Sequence, residues 1–195
     1  MRLEPRENPK FALNGINHLA LVCKDMERTV HFYRDVLGMP LVKTLDLPGG
    51  MGQHFFFDIG NGDCLAFFWF PNAPAAAPGI ASPAAAPGYG ELTTAHGSMN
   101  HVAFDVPEAT FDEYHAKITA LGLKPTVIIN HDDSPRQVSR ELHPGVFVRS
   151  FYFMDPDGIL LEFACWTRAF SPEEAKHVPA RALDAGVAEK ELVPA

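Results

Sequence analysis

Basic charge is scarce in this chain. Sixteen Lys and Arg stand against 24 Asp and Glu, a formal net charge of -8 over 195 residues. No basic stripe is left to offset phosphate repulsion, so nucleic acid is not an expected partner. Cysteine is scarce too: Cys23, Cys64 and Cys165 sit in separate apolar stretches with no paired spacing. They read as buried thiols of a reducing compartment, not as a disulfide framework. No run of about 18 apolar residues exists to span a membrane. The stretch Met1–Glu7 has no apolar segment of the kind a secretory leader needs. The expected location is therefore cytoplasmic. What is present is an ordinary globular mixture, 47% hydrophobic and 21% charged. Its length suits one generous domain or two small ones.

Periodicity divides the chain. Residues 1–13 are a charged, proline-containing lead-in. Residues 14–70 read β-α-β-β-β: a strand over Ile16–Val22, a helix capped by Asp25 and stopped by Gly38, then strands over Leu41–Leu47, Gln53–Ile59 and Cys64–Phe70. Asn61-Gly62 is the strongest short hairpin signal. Residues 71–96 interleave prolines with alanine and glycine, the composition of a semi-rigid connector. The first pattern then returns over residues 97–167. Asn100-His101-Val102-Ala103 repeats Asn17-His18-Leu19-Ala20, a helix carries Phe111, Tyr114, Ile118 and Leu121, and Gly122 stops it. Strands are expected over Lys124–Asn130, Val146–Met154 and Ile159–Cys165, with the polar passage 130–145 either a distorted strand pair or a loop beside a pocket. Residues 168–195 form an expected helical tail, with Ser171 as cap and Glu174 three positions on. Internal duplication is the main feature of this organisation.

The turn Asp155-Pro156-Asp157-Gly158 feeds an apolar strand whose one carboxylate is Glu162, among Leu161, Phe163, Ala164 and Cys165. An ionised carboxylate there is costly unless something compensates it, and a cation is one such compensator. A lone strand histidine is more often a core residue than a ligand. His18 and His101, at repeated positions, shift that balance. With Glu162 they make the two-histidine, one-carboxylate set of a facial metal site with open positions.

On these residues the chain resembles the vicinal oxygen chelate superfamily, which holds glyoxalase I, bleomycin-resistance proteins, methylmalonyl-CoA epimerase and extradiol ring-cleaving dioxygenases. The resemblance covers about residues 14–167. It implies an α+β fold in which paired β-α-β-β-β modules curl into an open, barrel-like cavity with a central metal site. The ligands would be His18, a position on the Cys64–Phe70 strand, His101 and Glu162. Aligning the two last strands places Phe67 opposite Glu162, and phenylalanine binds no metal. Three ligands instead of four match the ring-cleaving branch. That branch also carries a Ser-Phe-Tyr run and an upstream histidine. Here Tyr152 of Ser150-Phe151-Tyr152 lies ten residues before Glu162, and His143 nine before Tyr152. The resemblance makes His143 the proton donor or acceptor and Tyr152 a hydrogen-bonding stabiliser.

One departure is plain. Many ring-cleaving members carry a histidine on the strand that here reads Asp63-Cys64-Leu65, and His54, one strand earlier, is a candidate substitute. The expectation is an Fe(II)-dependent extradiol-type dioxygenase, a homodimer, that opens a catechol-like aromatic with dioxygen. Mn, Zn, Ni or Co would suit the same ligands. The alternatives are a metal-dependent lyase, isomerase or epimerase, and a non-catalytic binding protein of the bleomycin-resistance type. The Phe55-Phe56-Phe57 and Phe67-Phe68-Trp69-Phe70 runs are core residues first, and half of them would face an apolar or aromatic ligand. Arg149 is either solvated or paired with an acidic substrate group. His96 and His131 have no assigned role.

Overall fold

The structure is a computed structural model that describes residues 8–175 and 177–181. The first module runs β1 (His18–Cys23), α1 (Met26–Val30), β2 (Leu41–Asp46), β3 (Gln53–Gly60) and β4 (Asp63–Trp69). The second runs β5 (Val102–Asp105), α2 (Phe111–Ala120), β6 (Ile129–His131), β7 (Val138–Ser139), β8 (Val148–Met154) and β9 (Leu160–Trp166). Each module forms a mixed sheet, in the orders β1-β4-β3-β2 and β5-β9-β8-β6-β7. In both, the first strand pairs with the last in parallel and the rest are antiparallel. The duplicated α+β architecture expected from the sequence is the one observed.

Local chemistry explains the elements and their limits. The Asp25 carboxylate caps α1 by accepting the Arg28 N–H at 3.0 Å. Regular helix lasts only to Val30, and a wider π turn follows over His31–Val36, closed by the Leu37 N–H on the Phe32 carbonyl at 2.9 Å. Asn61 and Gly62 both take positive φ, 59° and 84°, as a tight two-residue hairpin requires. The strand expected over Lys124–Asn130 is shortened to Ile129–His131. Ahead of it, Pro125 has no N–H to give, and Thr126 takes over the pairing: its N–H donates to the Tyr152 carbonyl at 2.8 Å while its hydroxyl oxygen accepts the Tyr152 N–H at 3.0 Å. The polar passage supplies one short extra strand, β7, folded back on β6. In the tail, the described residues hold one 3-10 turn, Pro172–Glu174, and the Glu174 carboxylate accepts the Ser171 N–H as the cap spacing suggested. Residues 182–195 of the expected helical tail lie outside the described residues.

A single apolar cluster joins the modules. Tyr33, Phe57, Leu65 and Phe67 of the first merge with Phe104, Phe111, Phe151, Phe153 and Leu161 of the second. The Tyr33 hydroxyl donates to Asp155 at 3.1 Å, and the Lys24 N–H to Asp157 at 2.9 Å. Both sheets thus meet through their helix-bearing sides. The opposite sides carry His18, Ala20 and Val22 in one module, and Ser150, Tyr152 and Glu162 in the other.

The ladder corrects the sequence alignment. Ala103 pairs with Glu162 on β9, and its repeat counterpart Ala20 pairs with Ala66 on β4, not with Phe67. The two hairpin glycines, Gly62 and Gly158, are the equivalent positions. A slip of one residue reverses the face of every side chain, and Phe67 is fully buried in the core. The slot is still without a ligand, because alanine offers none.

Candidate metal centre

Glu162 faces away from the core while its neighbours Leu161 and Phe163 pack into it. Its cross-strand neighbours are Ala103 on β5 and Tyr152 on β8. The small Ala103 leaves the carboxylate uncovered on that side, yet Glu162 is only 5% exposed. His101, immediately before β5, brings Nε2 to 3.0 Å from the Glu162 Oε2.

The proton inventory of this pair is informative. Asn100 donates its amide to the Leu92 carbonyl at 2.8 Å, which fixes which end of the amide is oxygen. That oxygen lies 2.8 Å from the His101 Nδ1, so Nδ1 carries a proton and donates it. In a neutral imidazole the lone pair is then on Nε2, pointing at a carboxylate oxygen. Two lone pairs at that distance need a cation between them or a second proton on the ring. Two ligand atoms each about 2.1 Å from one ion, and about 90° apart, stand about 3 Å from one another. The pair fits a divalent metal, with Asn100 orienting the ligand ring from behind. Asn17 repeats the arrangement on His18, Oδ1 to Nδ1 at 2.8 Å. The repeated Asn-His dipeptide is visible in the sequence; the orientation of its amide on the ring is visible only in the fold.

Tyr152 is buried, and its ring meets that of His101 edge-on at 5.6 Å. Burial, with some help from Glu162, pushes its hydroxyl up to about 12, against a lowering hydrogen bond from Ser150. It is a proton donor at any physiological pH. Ser150 stands 3.5 Å from the Tyr152 hydroxyl and 3.0 Å from the His131 Nε2. His131 thus joins the site through β6, a contact no local spacing announces. Burial lowers the His131 pKa, against the charges of Glu162 and Asp132.

His143 lies on the loop before β8. Its Nδ1 accepts the Gly145 N–H at 3.1 Å, and its Nε2 faces Asp132 at 3.2 Å. It occupies the rim at the His131 end of the sheet rather than touching Tyr152. Arg149 points to the helix side, bonded to Asp112 at 2.7 Å and lying over Phe111. It is neither solvated nor facing a substrate.

His18 is on the other sheet. It is exposed, with its ring 5.6 Å from that of Phe56. Val22, Phe68, His54 and Leu45 form a row across that same bare face. His54 stacks on Phe68 at 3.6 Å, and its buried Nε2 has no hydrogen-bond partner among the described residues. The chain brings His101 to Glu162 and does not bring His18 to either: no three His, Cys, Asp or Glu converge among the described residues. Two clefts, of about 650 and 420 Å³, are lined by none of these three residues.

Residues 15–163 match the Glyoxalase/Bleomycin resistance protein/Dioxygenase superfamily. MhqE of Bacillus subtilis (strain 168), which carries a provisional assignment as a ring-cleaving dioxygenase, is 29% identical over 115 residues, 56% of this chain and 32% of MhqE. The chain spans about a third of that relative's length. The metallothiol transferase FosB of Shouchella clausii (strain KSM-K16) is 27% identical over 161 residues, 80% of this chain and 84% of FosB. The crystal structure of a glyoxalase/dioxygenase from Nostoc punctiforme matches with a TM-score of 0.52 at 22% identity, over 86% of this chain and 100% of that one. At that identity the likeness concerns the fold.

Proposed function

The chain belongs to the glyoxalase/bleomycin resistance protein/dioxygenase superfamily, and from that premise we propose that it is a divalent-metal enzyme of the ring-cleaving, extradiol-type dioxygenase class, acting on a catechol-like diol. The observation that carries the metal is the His101 Nε2 facing the Glu162 carboxylate at 3.0 Å with its proton committed to the other nitrogen. His101, Glu162 and His18 hold the ion, Fe(II) in this reading. Ala66 in place of a fourth ligand leaves room for substrate and dioxygen. Bound there, the metal supplies Lewis acidity and positions for the diol and for dioxygen.

The chain's own residues do the rest. Tyr152 donates a hydrogen bond to a developing oxyanion. His143, held at the rim by Asp132, accepts the proton a catechol must lose to chelate. The His54, Phe56 and Phe68 rings offer an aromatic face to a flat substrate. His18 reaches the pair from a second copy of the chain, so the working unit is a homodimer. The bare His18 face, with its orphaned His54 nitrogen, supports that closure.

The test is metal analysis of protein purified without oxygen, followed by oxygen uptake on a catechol panel. Iron near one per chain and catechol-dependent uptake, both lost in Glu162→Ala, are expected. Another metal with no oxygen uptake, even after Fe(II) loading, overturns the dioxygenase reading. The FosB match, which spans more of both chains than the MhqE match does, favours a second reading as an oxygen-independent metal-dependent transferase, lyase or isomerase. Turnover that survives strict anaerobiosis would select it.

A further inference from the structure

Three polar side chains cross the Glu162 face of the second sheet in line: His131 on β6, Ser150 and Tyr152 on β8. Ser150 is completely buried and Tyr152 nearly so, so neither hydroxyl can turn freely to water. Each hydroxyl has one proton, which makes the line directional. In one arrangement the Ser150 hydroxyl donates to the Tyr152 oxygen, 3.5 Å away. Its oxygen must then accept from His131, whose Nε2 is 3.0 Å away. That requires the proton of the neutral ring on Nε2. With its oxygen already accepting from Ser150, Tyr152 keeps its own proton free for the side of the site where Glu162, its cross-strand neighbour, stands. With the proton on Nδ1 instead, Ser150 would donate to His131, Tyr152 would donate to Ser150, and the phenol proton would point away from Glu162.

We propose that His131 is a positioning residue: through Ser150, its Nε2–H tautomer aims the Tyr152 hydroxyl proton at the Glu162 side of the site. His131 touches neither Glu162 nor His101 directly. It is half-buried on β6, with its ring against that of Phe147. The inference rests on the proposed role of Tyr152 for its consequence in turnover, but not for its geometry.

Nitrogen-15 NMR of the imidazoles in the full-length protein tests the geometry without any reaction. His131 is expected as the neutral Nε2–H tautomer, and in Ser150→Ala the tautomers should mix because the acceptor is gone. A His131 found as Nδ1–H, or unmoved by Ser150→Ala, overturns the proposal. Turnover tests the consequence. His131→Phe and Ser150→Ala are expected to lower kcat roughly tenfold or more with little change in KM or bound metal. His131→Gln, whose amide still donates, should recover most of the loss. A Gln variant as slow as the Phe variant overturns the positioning role. If no turnover is found with any catechol, the tautomer result still stands or falls by itself.

Discussion

Asn100 illustrates how much of this site is decided by single side chains. Its amide is tied at one end to the Leu92 carbonyl and at the other to the His101 ring. Removing it frees the ring to rotate and to carry its proton on either nitrogen. Partners of this kind typically contribute 10–100-fold to metal affinity. Asn100→Ala should therefore weaken binding by roughly that factor, read by anaerobic titration with Fe(II) or Mn(II), and leave the fold unchanged. An unaltered affinity would mean that Asn100 only braces the linker. The sequence displays the Asn-His pair twice, and repetition and apolar context were enough to single out His101 and Glu162, which the fold brings to 3.0 Å; His18 stays apart from them in the chain. The Leu92 carbonyl was not legible, because it belongs to a proline-rich connector with no pattern of its own. His131 was equally hidden: its approach to Ser150 depends on β6 pairing with β8, across 19 residues of chain. Local spacing pointed to His143, which the structure places at the rim on Asp132.

At the level of elements, the turn before β9 does more than reverse the chain. Asp155 accepts the N–H groups of Asp157 and Ile159 and the hydroxyl of Tyr33 from the other module. Burial nonetheless raises its pKa from 3.8 to about 6, those hydrogen bonds notwithstanding. The folded state therefore holds this proton more tightly than the unfolded chain. Its contribution to stability is complete below about pH 4 and is lost as the pH rises through about 6, up to roughly 3 kcal/mol in all. Asp155→Asn keeps acceptors for the turn and cannot ionise. The difference in unfolding free energy between wild type and variant should change with pH between about 4 and 6 and stay flat above. A constant difference across that window would show that Asp155 is ionised in the fold. The elements themselves were largely readable, since alternation and glycine stops marked both modules. What failed was local bookkeeping at one position and one strand. Phe67 and Ala66 differ by a single step of register that only the hairpin glycines fix. The strand before Ile129 gave way to a threonine side chain doing the work of a backbone carbonyl.

At the scale of the whole molecule, the two modules turn their His18 and Glu162 faces apart. The shared core lies on the helix-bearing sides, and Val22 and Leu45 on the His18 face remain 50% and 40% exposed. An apolar face of this kind beside His18, the proposed third ligand, suits a second copy of the same chain. Two-fold pairing would place each His18 against the partner's His101 and Glu162, and make two sites per dimer. This arrangement has a consequence no single-chain site shares. His18→Ala and Glu162→Ala each remove a ligand from both sites of their own homodimer, so each alone should lose its metal. In a heterodimer of the two, one site inherits both defects and the other inherits neither. Co-expression with two affinity tags and tandem purification isolates that heterodimer. It is expected to hold about one metal per two chains, with turnover near half that of wild type. If each chain closed its own site, both sites of the heterodimer would carry one defect and no metal would return. Recovery therefore requires that the ligands of one ion come from two chains.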